Sequence, residues 1–271
     1  MRTQSTHRYI LSLVLIGLFS AICYVSLMLF KIPIPSPVGN PFIHMGNMFV
    51  ILAALLFSGP IGGLSGSIGM GLFDLLNGWA SSVPKTIVLK FGIGFIAGLV
   101  ASKGHDANAK SPLKWLVVTA LCFLTCGLGL LVLSSLYGYE ILIPYLREAS
   151  TSAVPLGDTL VVIPALYIFA LILGVGLLLT CLSIKRVPIK LQYAILGAVC
   201  GIAFNLVGEF LFSLVELLIL GSAFAPAVIS SLISLPATLI NGAVSVIVAI
   251  TLYIPLSKVV TKSNLNLATI K

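Results

Sequence analysis

The hydrophobic positions of this chain form long unbroken stretches, and most of the charged positions gather at the ends of those stretches. About 20 consecutive apolar residues cross a bilayer as a helix. By that measure the pattern predicts eight spans, at roughly 9–30, 47–58, 61–77, 84–102, 115–136, 159–183, 191–214 and 227–256. The second is short by itself and is expected to begin near Phe42. Gly59-Pro60 separates the second from the third, and the stretch from Asn77-Gly78 to Val83-Pro84 separates the third from the fourth. Proline cannot continue a helix and glycine favours turns, so 44–100 is expected to form a three-helix unit with very short connections. The whole chain, 1–271, is expected to be a single polytopic membrane domain. Pro236 is a candidate kink in the last span.

Polar residues inside the spans share helix faces with small ones. Gly62, Gly66 and Asp74 fall on one face, and Lys90, Gly94 and Gly98 on another. Gly197, Gly201, Asn205 and Glu209 follow one another at a spacing of four, and Asn241 stands between Ala237 and Ser245. Helices in lipid associate by close packing of small residues, so these stripes are the faces expected to meet inside the bundle. The acids, the lysine and the amides are then carried into one interior. An ionisable group within the membrane is functional by default, although Asp74 and Lys90 could also form a structural ion pair. A lone Asn in such a helix commonly makes an interhelical hydrogen bond worth only about 1 kcal/mol.

Composition reinforces the membrane reading. The chain is 59% hydrophobic and 8% charged, where a soluble domain carries about 25% charged residues. The net charge of +8 points to topology rather than to nucleic acid. Of the 15 Lys and Arg, Arg2, Arg8, Lys103, Lys110, Lys114, Lys185, Arg186, Lys190, Lys258, Lys262 and Lys271 fall in the N-terminus, two connections and the tail. Eight spans put all four on one side, so the positive-inside rule predicts cytoplasmic termini. The segment up to Phe30 has the basic start of a signal peptide but is long enough to span, and is expected to remain as the first helix. Ionisable residues within spans then lie in the outer half of the bilayer.

Several chemistries lack their residues. No phosphate-loop motif occurs, so ATP-driven work would need a partner. The five cysteines lie within apolar segments without zinc-site spacing, and no cofactor or metal is expected. Gly63-Leu64-Ser65-Gly66 has the G-x-S-G form of an intramembrane serine protease, yet no later span offers a histidine base. An enzyme is therefore the weaker alternative, alongside a self-sufficient secondary transporter.

The stretches Ile43-His44-Met45-Gly46-Asn47, Leu52 to Gly63, Gly71 to Gly78, Pro84-Lys85-Thr86 and Lys90-Phe91-Gly92, with Gly208-Glu209-Phe210 and Leu235 to Gly242 near the end, resemble the S components of energy-coupling-factor (ECF) vitamin transporters. The pattern is similar to those linked to riboflavin, hydroxymethylpyrimidine or pyridoxine. The resemblance implies an all-α, six-helix membrane bundle built within 9–102 and 191–256, and it leaves 103–190 as an inserted helix pair. It implies a substrate-capture subunit with a pocket in the outer half, closed by the proline-rich segment Lys31 to Pro41. Its implied partners are a small vitamin-like ligand, a transmembrane scaffold subunit and two ATPase subunits. The candidate ligand contacts are Asn40, His44, Asn47, Asp74, Asn77, Lys90, Asn205, Glu209 and Asn241. Gly17 and Ala21 keep the small-x-x-x-small spacing with which first helices of the family dock on the scaffold.

Overall fold

The computed structural model describes residues 2–33, 42–137, 156–183, 186–233 and 235–263. Its helices are α1 (Arg2–Leu29), α2 (Gly46–Leu56), α3 (Gly59–Leu76), α4 (Val83–Ser102), α5 (Leu113–Tyr137), α6 (Leu156–Ser183), α7 (Ile189–Ile219), α8 (Phe224–Ile233) and α9 (Leu235–Lys262). Two short strands, β1 (Ile32–Pro33) and β2 (Phe42–Ile43), pair antiparallel between α1 and α2. Apolar side chains as large as Leu13, Phe95, Leu128 and Ile247 lie exposed around the bundle. That distribution suits a protein whose solvent is lipid, and the chain is an all-α membrane protein.

Among the described residues, five helical stretches are long and apolar enough to span: Thr6–Leu29, Ala80–His105, Leu113–Val132, Ile189–Ile219 and Pro226–Lys262. Gly46–Leu56 and Tyr167–Ser183 are shorter apolar helices. At a rise of about 1.5 Å per residue, α2 is roughly 16 Å long, about half the hydrocarbon thickness. It does not begin near Phe42, as its length had suggested, because Phe42 and Ile43 are taken into the strand pair and the helix starts at Gly46. Residue 234 lies outside the described residues; on either side of it the last predicted span is helical, as α8 and α9. Pro236 lies close after that residue, at the start of the described part of α9, and Pro255 lies inside the helix.

Proline opens two helices at positions where its missing N–H costs nothing: Pro60 sits in the first turn of α3 and Pro84 in that of α4. Between them, Gly78 takes a positive φ of 87°, a conformation open to glycine at no steric cost. The pair α3–α4 is packed so closely that a Cβ on Gly94 would lie 2.2 Å from the Gly63 nitrogen, and one on Gly98 2.3 Å from the Gly59 nitrogen. α7 lies against the next face of α4, with Gly197 at the Ala97 carbonyl and Gly201 at the Ile93 carbonyl. α1 covers α3, α9 packs on α2 and α7, and α5 and α6 pack chiefly on each other, with α6 reaching α9.

The ends of the bundle differ in character. At one end Gly104 abuts Tyr193 and Lys190, Ser111 donates to Gln192 at 2.6 Å and the Tyr193 hydroxyl to the Lys110 carbonyl at 3.1 Å. The basic connections after α4 and before α7 therefore lie together. The opposite end carries the strand pair and the intramembrane charges.

Candidate functional site

The register of α4 against α7 sets the site. Going from Ala97 and Ile93 toward the start of α4, and from Gly197 and Gly201 along α7, the glycine contacts give way to polar ones. Lys90 donates to Asn205 Oδ1 at 3.1 Å, and Lys85 forms a salt bridge with Glu209 at 3.1 Å. The four-residue stripe of α7 thus meets α4 in antiparallel order, its glycines against the α4 backbone at Ala97 and Ile93 and its amide and carboxylate against Lys90 and Lys85. Lys90 is 6% exposed and Asn205 1%. Gly66 makes room for the lysine stem on α3, since a Cβ there would be 3.2 Å from Lys90 Cβ.

Asp74, on α3, accepts a hydrogen bond from the Thr86 hydroxyl of α4. Asp74 and Lys90 do not form a direct ion pair, and among the described residues the salt bridge at this end belongs to Lys85 and Glu209. The Lys85, Lys90, Asp74 and Glu209 charges nonetheless lie within electrostatic reach of one another. Lys90 has three N–H donors and among the described residues one hydrogen-bond partner, Asn205. Asn47, in the first turn of α2, is 2% exposed and its Oδ1 has no partner there. Lys90 is thus left with two spare donors and Asn47 with a spare acceptor.

Asn241 secures the strand pair above this cluster. Its Oδ1 accepts the His44 N–H at 2.9 Å and its Nδ2 donates to the Phe42 carbonyl at 2.8 Å. The side-chain amide thereby satisfies the free edge of β2 much as another strand would. His44 Nδ1 accepts the Gly46 N–H at 3.2 Å at the start of α2, which fixes the tautomer with the proton on Nε2 when the ring is neutral. Burial, and then the Lys90 charge, push the imidazole down to about 3.

Of the residues singled out in the sequence, His44, Asn47, Asp74, Lys90, Asn205, Glu209 and Asn241 lie at this end of the bundle. Asn77 is exposed and donates to the Phe73 carbonyl at 2.9 Å, closing α3 rather than joining the cluster. Asn40, and most of the segment expected to act as a lid, lie outside the described residues. A Cβ on Gly17 would meet nothing within 4 Å and Ala21 is exposed, so both stand on a bare face of α1.

Sequence reasoning missed an aromatic group. Phe42 lies 6.4 Å from Phe73, 6.4 Å from Trp79 and 5.5 Å from the His44 ring, and Tyr24 lies 5.9 Å from Phe73. Lys31 Nζ sits 4.7 Å from the Phe42 ring centre and 5.8 Å from that of Trp79, within range of a cation–π contact. These residues come from α1, β2, α3 and the turn after it, so no local spacing links them. Trp79 directly after Asn77-Gly78 was the one available signal. Thr86 was missed too, being an ordinary helix residue until Asp74 is seen beside it.

Comparison with known proteins adds a family and little else. The family model for the ECF-type riboflavin transporter, S component, matches residues 8–174, more than half of the chain. That stretch includes 103–174, which the sequence resemblance set aside, and it ends before Asn205, Glu209 and Asn241. An uncharacterized protein in gap 3'region from Pyrococcus woesei is 36% identical over 74 residues, 27% of this chain and 48% of that protein. The chain thus spans about half the length of this curated relative. No solved structure matches.

Proposed function

The chain belongs to the family of S components of ECF-type riboflavin transporters, and we propose that it is the substrate-capture subunit of an importer powered by ATPases on separate chains. The observation that carries this reading is the set of buried polar groups at this end of the bundle: Lys90 held by Asn205, an Asn47 carbonyl oxygen without a partner among the described residues, and a strand pair fastened by Asn241. Burying such groups is costly unless a ligand completes their hydrogen bonds. The ligand is a small planar vitamin or precursor of the riboflavin, hydroxymethylpyrimidine or pyridoxine type. Its polar groups meet Lys90, Asn47 and the carboxylates, and its ring meets the aromatic group around Phe42 and Trp79. The basic end, with both termini, faces the cytoplasm, and the bare Gly17–Ala21 face of α1 docks on the scaffold.

The test uses the purified full chain in nanodiscs, with riboflavin first because its own fluorescence gives a direct readout, and hydroxymethylpyrimidine and pyridoxine as competitors. Saturable binding of one of them without nucleotide, and no uptake in cells lacking scaffold and ATPases, is the expected result. Absence of binding for all three would overturn the ligand class. Concentrative uptake by the chain alone would make it a secondary transporter.

A further inference from the structure

The two helices α5 and α6 are interlocked with each other but loosely seated on the rest of the bundle. At their mutual contact a Cβ on Gly127 would lie 2.9 Å from Leu171, and one on Gly174 2.6 Å from Leu124. Two residues further along α6, on the side that shares a gap with α7 and α9, a Cβ on Gly176 would meet nothing within 4 Å. The gap it opens is a cavity of about 480 Å³ in the seam, walled by α5, α6, α7 and α9.

Its chemistry is one-sided. Ile172, Leu177, Val199, Val246 and Ile250 are typical of the lining, and no charged residue contributes. The two hydroxyls present, Thr180 and Thr251, each donate at 2.8 Å to a carbonyl of their own helix, Gly176 and Ile247. No polar group therefore asks for a partner, and water would gain no hydrogen bond there. The walls run parallel: Ile172 to Thr180 on α6, and Gly242 to Thr251 on α9. At about 1.5 Å per residue that makes a slot roughly 12 to 14 Å long. It opens on the surface where Ile172 and Ile247 are more than half exposed.

We infer that this seam is an intramembrane site for one acyl chain of a phospholipid. Dispersion attraction is lost wherever a lining atom faces an empty gap, and at this depth the molecule able to supply a long flexible apolar chain is the surrounding lipid. The slot's length, its lateral opening and its lack of unsatisfied polar atoms all fit a chain and not a polar metabolite. Lipid in the seam fills the space that the direct contact between α6 and α9 leaves open. The site is separate from the polar cluster and does not depend on the ligand assigned there.

The full chain is reconstituted in nanodiscs of palmitoyl-oleoyl-phosphatidylglycerol, released, and followed by native mass spectrometry through graded removal of lipid. The wild type should retain one phospholipid after the others have gone. Gly176→Phe and, from the opposite wall, Ala243→Phe should lose it at least about tenfold more readily. Gly129→Phe places the same bulk where nothing lies within 4 Å but outside the slot, and should retain lipid as the wild type does. Two filling variants guard against one that does not fold. No phospholipid retained by the wild type, or equal retention by all variants, would overturn the assignment, as would a dimer that Gly176→Phe abolishes.

Discussion

Lys90 and His44 show how single residues are set by what surrounds them. An unpaired charge near the centre of a membrane helix costs about 2.5 to 3.5 kcal/mol on insertion scales, and among the described residues Lys90 has an amide as its hydrogen-bond partner instead of a carboxylate. Lys90→Met should therefore leave the melting temperature of the ligand-free protein unchanged or raised. Ligand affinity should fall about tenfold or more, near 1.4 kcal/mol, as read by titration; a fall in melting temperature with normal affinity would mark Lys90 as framework. His44 gives a pH dependence. Its folded pKa is pushed down to about 3, below the ordinary value of about 6.5, so the unfolded chain takes up the proton first. Its contribution is full above about 6.5 and declines as pH falls toward 3. His44→Gln should flatten the drop in melting temperature between neutral and mildly acid pH relative to the wild type. Parallel curves for the two proteins would refute this.

At the scale of elements, the strand pair depends on α9 through one side chain. Two hydrogen bonds, each worth about 0.5 to 1.5 kcal/mol net, run from Asn241 to the backbone of residues 42 and 44. Asn241→Leu keeps the volume near that of the amide and removes both. Hydrogen exchange at the His44 amide should accelerate and bound ligand should leave faster, while the α3–α4 contact, held by backbone approach at Gly94 and Gly98, stays protected. Unchanged exchange at His44 would mean that the strand pair is held by other contacts.

For the whole molecule, the place of α5 and α6 is the open architectural matter. A Cβ on Gly104 would lie 3.1 Å from Lys190 Cα, so the chain before α5 already meets the chain after α6. Joining Lys103 directly to Lys190 should preserve ligand affinity within about tenfold, because the polar cluster draws on α2, α3, α4, α7 and α9. A folded deletion variant without measurable binding would place part of the pocket in the removed helices, which the family match at 8–174 also includes. Orientation is tested on the same scale: a cysteine at 108, on a background without native cysteines, should resist impermeant reagents in intact cells, and its labelling would reverse the proposed topology.

Composition and periodicity alone determined that this is an all-α membrane protein, where its helices break, and which stripes carry small and polar residues together. Those are local properties: a run of apolar side chains must leave water, and a proline or glycine punctuates the helix that contains it. Hence Pro60 and Pro84 marked helix starts, and Gly197 to Glu209 marked a packing face. Tertiary structure alone decided the partners. It paired Glu209 with Lys85, gave Asp74 to Thr86 instead of Lys90, spent Asn241 on the strand backbone and gathered Phe42, Phe73 and Trp79 into one aromatic group. A partner is a distance between segments far apart in the chain, fixed by how glycine faces let α3, α4 and α7 slide into register, and no spacing within one helix contains it.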